Sequence, residues 1–309
     1  LVRRRELIFG AASAPVLACG SRGRREASPA EGRSNPEPAA SPEPDPPASL
    51  RVLSYNVLAD EVALDRRIPA LLRTMQAAQP DLIALQEVAP WFLDWIAGSE
   101  WLAAFELATI DGRPARPNGQ LILSRLPIAS SRARRLAGRQ GRTVLISQIE
   151  LGGGERLALA TTHMESFLED GPIRARQLDE IFAELARERD DPRVSATVLA
   201  GDLNFGEGEQ PDTAHIDAAF VDLWTALRPD EPGYTWDIEH SEMARAGSFV
   251  GEPSRRLDRI LLRSRSWVPA AIEIIGDRGV APGDRSLFPS DHFGLVGEIR
   301  YAGGREGRR

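Results

Sequence analysis

The apolar run SATVLAG at 195–201 delivers an acid and an amide two residues apart, Asp202 and Asn204, before the chain turns to glycine. Side chains at i and i+2 of an extended strand face the same way, so both groups are expected to face one spot. The pattern recurs along the chain. Asn56 closes the run LRVLSYN, Glu87 sits at the end of DLIALQEV, and His163 and Ser166 follow RLALATT. Asp258 lies within RRLDRILL, and Asp291 with His292 precedes a last apolar run. An Asn or Asp at one strand end is ordinarily a turn former. A set of them at successive strand ends reads as a site, because a sheet gathers those ends in space.

The chemistry that suits this set is hydrolysis at phosphorus. A carboxylate such as Glu87 suits a hard divalent cation, Mg²⁺ or Mn²⁺, which takes few protein carboxylates and fills its shell with water and phosphate oxygen. Such an ion polarises a phosphoryl group and neutralises the charge that develops on it. Asn56, Asn204, His163 and Ser166 are neutral donors for non-bridging oxygens, and an acid paired with a histidine moves protons and stabilises charge. Of Asp202 and Asn204, one is then expected to handle a water and the other the phosphate it attacks. No Ser or Cys nucleophile signature accompanies them, which favours direct water attack over a covalent route.

Strands and helices must alternate to hold these residues. Strands are expected at 50–56, 81–88, 119–124, 142–151, 156–164, 195–201, 256–263, 270–277 and 292–301, and amphipathic helices at 65–79 and 171–189. Pro172 falls near the start of the second helix, where a missing N–H costs nothing. Strands follow one another directly in the second half, which predicts mixed, largely antiparallel sheets flanked by helices rather than a doubly wound parallel sheet. No nucleotide-binding glycine loop is present.

The N-terminus reads as an address. Three arginines at 3–5, a short apolar stretch, and the sequence VLAC ending at Cys19, the only cysteine in the chain, resemble a bacterial lipoprotein signal. The expected organisation is a signal peptide over 1–18, a disordered Pro/Ser/Glu-rich tether over 19–49, one catalytic domain over 50–301, and a disordered tail over 302–309. The chain is then an exported cell-envelope lipoprotein, monomeric, held to the membrane through lipidated Cys19. All 38 basic residues are arginine, and the net charge of -7 argues against coating long duplexes by bulk electrostatics.

The segments SYNVL, LQEV, NGQLILSRLPI, TTHMES, AGDLN, LDRILL and PSDHFGL resemble, in this order, the motif series of the exonuclease–endonuclease–phosphatase superfamily. Within it, THMES, GYTWDIE and RLDRILLRS…FPSDHFGL resemble the metal-dependent tyrosyl-DNA phosphodiesterase branch, which cleaves 5′-phosphotyrosyl bonds. The resemblance implies a four-layer α/β sandwich. It implies Glu87 as metal ligand with Asn56 beside it, Asp202 orienting or deprotonating the water, and Asn204 on the phosphate. By the same resemblance His163 and Ser166 hold phosphate oxygens, Asp291 and His292 stabilise the transition state, and Trp236 flanks the substrate. Asp258 is either a substrate contact or a core acid paired with an arginine. Two departures stand out. Phe205, Gly206 and Glu207 follow the Asp-x-Asn pair where a basic residue is expected, and 240–255 lacks the look of an apolar wall beside a DNA end.

The expected activity is a metal-dependent phosphodiester hydrolase acting on nucleic-acid ends or small diesters. The alternatives are an envelope lipid or sugar phosphate hydrolase of the same superfamily, and a non-catalytic binding protein on the same fold. The address is testable by itself. Replacing Cys19 by Ala should move the protein from the membrane fraction to the soluble fraction, since acyl chains on that cysteine would supply the anchor; unchanged fractionation removes the lipoprotein reading.

Overall fold

Strand after strand in this chain is apolar on both faces, and the fold explains why: each sheet is covered on one side by the other sheet and on the other side by helices. The computed structural model describes residues 45–109 and 119–302. The expected signal peptide, nearly all of the expected tether, and residues 303–309 of the expected tail lie outside them. The strands are β1 (Ser49–Asn56), β2 (Leu82–Val88), β3 (Glu106–Thr109), β4 (Gly119–Ser124), β5 (Ile128–Arg135) and β6 (Thr143–Gly152). They continue as β7 (Glu155–His163), β8 (Val194–Asp202), β9 (Val221–Asp222), β10 (Asp258–Ser264), β11 (Trp267–Ile275) and β12 (Gly294–Tyr301). The helices are α1 (Leu64–Ala77), α2 (Pro90–Ala97), α3 (Gly171–Ala186), α4 (Leu223–Leu227) and α5 (Glu242–Gly247).

Two six-stranded sheets form, in the orders β11-β12-β1-β2-β4-β3 and β5-β6-β7-β8-β10-β9. Only β1–β2 and β7–β8 pair in parallel, and the helices that make these two crossovers are α1 and α3. The central core, with Val52, Leu82, Ile122, Leu159, Val198, Ile260 and Leu295, lies between the sheets. Ile68, Leu71 and Met75 of α1 pack on the outside of the first sheet with Phe92 of α2. Leu178, Ile181 and Leu185 of α3 pack on the outside of the second. The result is the expected four-layer α/β sandwich.

Three edge strands, β3, β5 and β9, were not expected. β5 has the sequence IASSRARR and is exposed over most of its length, so it carries no apolar alternation to read. Its arginines and serines instead protect an open sheet edge. The loop after β1 is held by Arg67, buried on α1, whose guanidinium donates to the carbonyls of Val57, Leu58, Asp60 and Pro289. One charge thereby joins the segments that leave β1 and approach β12, and both carry site residues.

Candidate active site

The predicted residues meet at one end of the two sheets. Asn56 ends β1, Glu87 lies in the last turn of β2, His163 ends β7, Asp202 ends β8, Asp258 begins β10, and Asp291 and His292 lead into β12. All of these but Asn56 and Asp258 line a cavity of about 290 Å³, together with Ser166 and Asn204. Larger hollows exist elsewhere on the surface, but this one holds both buried histidines with shifted pKa, the buried Asp202 and Asp291, and unpaired nitrogens of Arg142, His163, Trp236 and Arg255.

Backbone geometry aims two of these side chains. Glu87 and Asn204 both lie in the left-handed region, each with φ 57. At Glu87 the β2–β4 register slips between Leu85 and Val88, which turns the carboxylate toward the cavity. Asn204 reaches it by a turn rather than by strand alternation, since β8 stops at Asp202. The Asn204 N–H donates to Asp202 Oδ1 at 3.0 Å, and its side-chain amide donates to the Met164 carbonyl at 2.9 Å. Alternation predicted the right neighbours by the wrong geometry.

Asn56 is a strut beneath the site. Its amide donates to Glu87 Oε1 at 3.2 Å and to Asp202 Oδ2 at 3.0 Å, joining the first sheet to the second. The other Glu87 oxygen accepts from the Ala59 N–H at 3.0 Å. Each carboxylate oxygen keeps a lone pair.

Two histidines differ in charge. His292 Nδ1 is 2.8 Å from Asp258 and its Nε2 is 3.7 Å from Asp202. Burial alone would lower its pKa, but these two carboxylates outweigh burial and hold it well above the usual imidazole range. His163 is buried with only loose contacts, Nδ1 3.8 Å from Glu87 and Nε2 3.5 Å from Asp202. Burial, with Arg142 and His292 nearby, pushes it well below that range. Burial also raises Asp202 and Asp291, with the charge of Asp258 adding to the first and that of Glu87 to the second.

Four expectations change. Asp258 is fully buried, does not line the cavity, and pairs with a histidine rather than with substrate or an arginine. It positions His292. Trp236 is at the wall, but its ring packs on the His292 imidazole at 4.9 Å and is only 7% exposed, so it offers no open face to a base. Segment 240–255 does bring an apolar group to the mouth: Phe249, 41% exposed, sits 6.0 Å from Phe167. The absent basic residue after Asn204 matters less than its sequence suggested, because Glu207 turns to Arg256 and Arg259. Ser166 lines the cavity with its hydroxyl held by the Gln140 amide at 2.9 Å.

Arg142 and Gln140 were missed. Arg142 is 5% exposed, its Nε and Nη2 donate to Gln140 Oε1, and its Nη1 has no partner. In a chain whose every basic residue is arginine, one more before a strand carries no signal. His163 Nδ1, Trp236 Nε1 and Arg255 Nε are likewise buried without partners, and all four residues line the same cavity. Buried unpaired donors converging on one hollow are costly unless an acceptor enters it.

As a cation site the donor set is uneven. Asp202, Asp258 and His292 offer ligand atoms within 4.8 Å of one another. His292, however, has its Nδ1 on Asp258 and a pKa held well above the usual imidazole range by Asp258 and Asp202, which favours the protonated form that gives a metal no lone pair. Glu87, with its side chain 20% exposed, supplies the hard oxygen that a divalent ion takes.

A two-sheet α/β sandwich with acids, amides and histidines at the strand ends is the architecture of a phosphoester hydrolase. The chain belongs to the Endonuclease/Exonuclease/phosphatase family, whose pattern matches residues 53–292. It is 25% identical over 243 residues to tyrosyl-DNA phosphodiesterase 2 of Xenopus laevis, covering 77% of this chain and 62% of that protein. It is 26% identical over 260 residues to the Danio rerio protein of the same name, covering 80% and 66%. The chain thus spans less than two thirds of these curated relatives. In fold it is similar to truncated Caenorhabditis elegans TDP2, with TM-score 0.69 and 20% identity over 82% of this chain and 97% of that one.

The histidine assignment is directly observable. At pH near 6.5, where a free imidazole is half protonated, nitrogen NMR should show His292 as imidazolium and His163 as neutral. His292 loses its proton only as pH rises through its elevated value. Matching half-protonated signals for the two would contradict it.

Proposed function

We propose that this protein is a divalent-metal-dependent phosphodiester hydrolase acting by direct water attack. Three unpaired buried N–H donors, on Arg142, Trp236 and Arg255, with the unpaired His163 Nδ1 beside them around a cavity lined by Glu87 and Asp202, carry this reading, because a phosphate diester supplies acceptor oxygens that the donors lack.

The ion, Mg²⁺ or Mn²⁺, would be held by Glu87 and would polarise the phosphoryl group. The protein's own residues do the rest. Asn56 holds Glu87 and Asp202 at a set spacing. Arg142 Nη1 and His163 Nδ1 donate to non-bridging oxygens, with Asn204 and Ser166 at the same wall. Asp202, made more basic by burial, takes the proton of the attacking water. The His292 imidazolium, fixed by Asp258, stabilises charge on the phosphoryl oxygens, with Asp291 beside it. Trp236 keeps water from the far face of that imidazole.

Nucleic-acid ends are the favoured substrate class. The support is the likeness to tyrosyl-DNA phosphodiesterase 2, one solved D. rerio example of which holds a single-strand DNA product. That structure has TM-score 0.66 and 23% identity over 82% of this chain and all of its own. Phe249 and Phe167 at the mouth would pack against a base or an aryl leaving group. The lipoprotein-like sequence ending at Cys19 supports a cell-envelope address.

Hydrolysis of thymidine 5′-p-nitrophenyl phosphate, bis-p-nitrophenyl phosphate, single-stranded DNA and sphingomyelin separates the substrate classes. Turnover of the preferred diester should stop on chelation. It should fall about 100-fold or more in Asp202→Asn and in His292→Ala, and Glu87→Gln should lose most of it with circular dichroism unchanged. Full activity in excess chelator would sink the metal, and turnover of sphingomyelin alone would move the substrate to lipids.

A further inference from the structure

At the opposite end of the sandwich lies a second cavity, of about 650 Å³, between the β6–β7 turn, the segment before β8 and the β10–β11 turn. Arg189, Arg193, Arg263 and Arg265 line it against two acids, Glu155 and Asp191. Asp191 is already taken by Arg193 at 2.8 Å and Arg156 at 3.7 Å, and Glu155 accepts from the Tyr301 hydroxyl at 3.1 Å. Arg189, Arg263 and Arg265 form no salt bridge among the described residues. Arg263 is half-buried over the Phe220 ring at 5.5 Å. Burial and the charges of Arg189 and Arg265 both disfavour its protonated form, and Asp217 only partly offsets them. In a chain of net charge -7, this is a local concentration of cations that an oxyanion would relieve. Guanidinium groups pair with phosphate oxygens in a bidentate fork.

Where the chain enters and leaves the fold selects the source of the phosphate. The Tyr301 N–H donates to the Ala48 carbonyl at 2.9 Å, and the Ala302 N–H donates to the carbonyl of Ser266, a residue of the cavity wall, at 2.6 Å. Both segments that continue beyond the described domain therefore attach at this end. The cavity takes in the start of β8 up to Thr197, and Asp202 lies five residues further along the strand, a span of about 16 Å at roughly 3.3 Å per residue. A small diester seated in the catalytic cavity does not reach so far.

We propose that this arginine-lined cavity binds the phosphate headgroups of anionic phospholipids. It docks the end of the domain where the chain enters onto a membrane surface and leaves the catalytic cavity facing the aqueous phase. The enzyme would then act on soluble diesters arriving from solution, not on lipids of the bilayer it sits upon.

The test uses the full chain carrying Cys19→Ser, so that no acyl chain contributes, floated with phosphatidylcholine vesicles with and without phosphatidylglycerol. Binding should require phosphatidylglycerol and weaken with salt. The double variant Arg189→Ala/Arg265→Ala should bind about tenfold or more weakly, with hydrolysis of bis-p-nitrophenyl phosphate unchanged. Arg73→Ala, an exposed arginine on α1, should bind as the parent does. Equal binding to neutral vesicles, an undiminished double variant, or an equal loss in Arg73→Ala would overturn the proposal. So would binding of inorganic phosphate or of a single-stranded oligonucleotide through Arg189 and Arg265 without any vesicle binding.

Discussion

The contact of His292 with two buried acids, Asp258 and Asp202, is the interaction on which the site depends, and those carboxylates favour the protonated imidazole. Asp202 and Asp258 stand directly opposite one another on neighbouring antiparallel strands, both fully buried. Two like charges in that register repel, and each would pay to leave water. The imidazolium between them turns a repulsion into an ion triad. Because His292 comes from the first sheet and the acids from the second, the triad also fixes how the sheet ends meet. Removing one member of such a buried set strands the others, at a cost of about 3–5 kcal/mol.

Other features serve the same closure. Asn56 spans the sheets with two hydrogen bonds from one amide nitrogen, so Glu87 and Asp202 are spaced by a neutral strut and not by their own repulsion. Left-handed backbone at Glu87 is a strained choice for a residue with a long side chain. Hydrogen bonds from Asn56 and Ala59 to its carboxylate hold it there. At Asn204 the same conformation is mild, because a short amide tolerates it. Left-handed backbone at two residues, paired buried charges and unpaired nitrogens thus meet around this one cavity.

Much of this was legible in the sequence because strand ends are local signals. Asn56, Glu87, His163, Asp202 and His292 each follow or precede an apolar run, and the fold gathers those ends. What escaped depends on partners distant in sequence. Asp258 inside an arginine-rich strand reads as a partner for arginine until β12 brings His292 beside it. Trp236 in its tetrapeptide reads as a platform until the same imidazole covers its face. Arg142 and Gln140 acquire meaning only when β6 lies next to β7, and Phe249 is the one aromatic residue of a largely polar segment that the chain after α5 brings to the mouth. β5 escaped because an exposed edge strand needs no alternation.

In the proposed mechanism water attacks phosphorus directly, with Asp202 as its base and no covalent enzyme intermediate. The stereochemistry at phosphorus reports this most directly. Hydrolysis of a chiral phosphorothioate diester in isotopically labelled water should proceed with inversion of configuration, the outcome of a single in-line displacement. Net retention would require two displacements and a covalent intermediate on the protein, and would contradict the account.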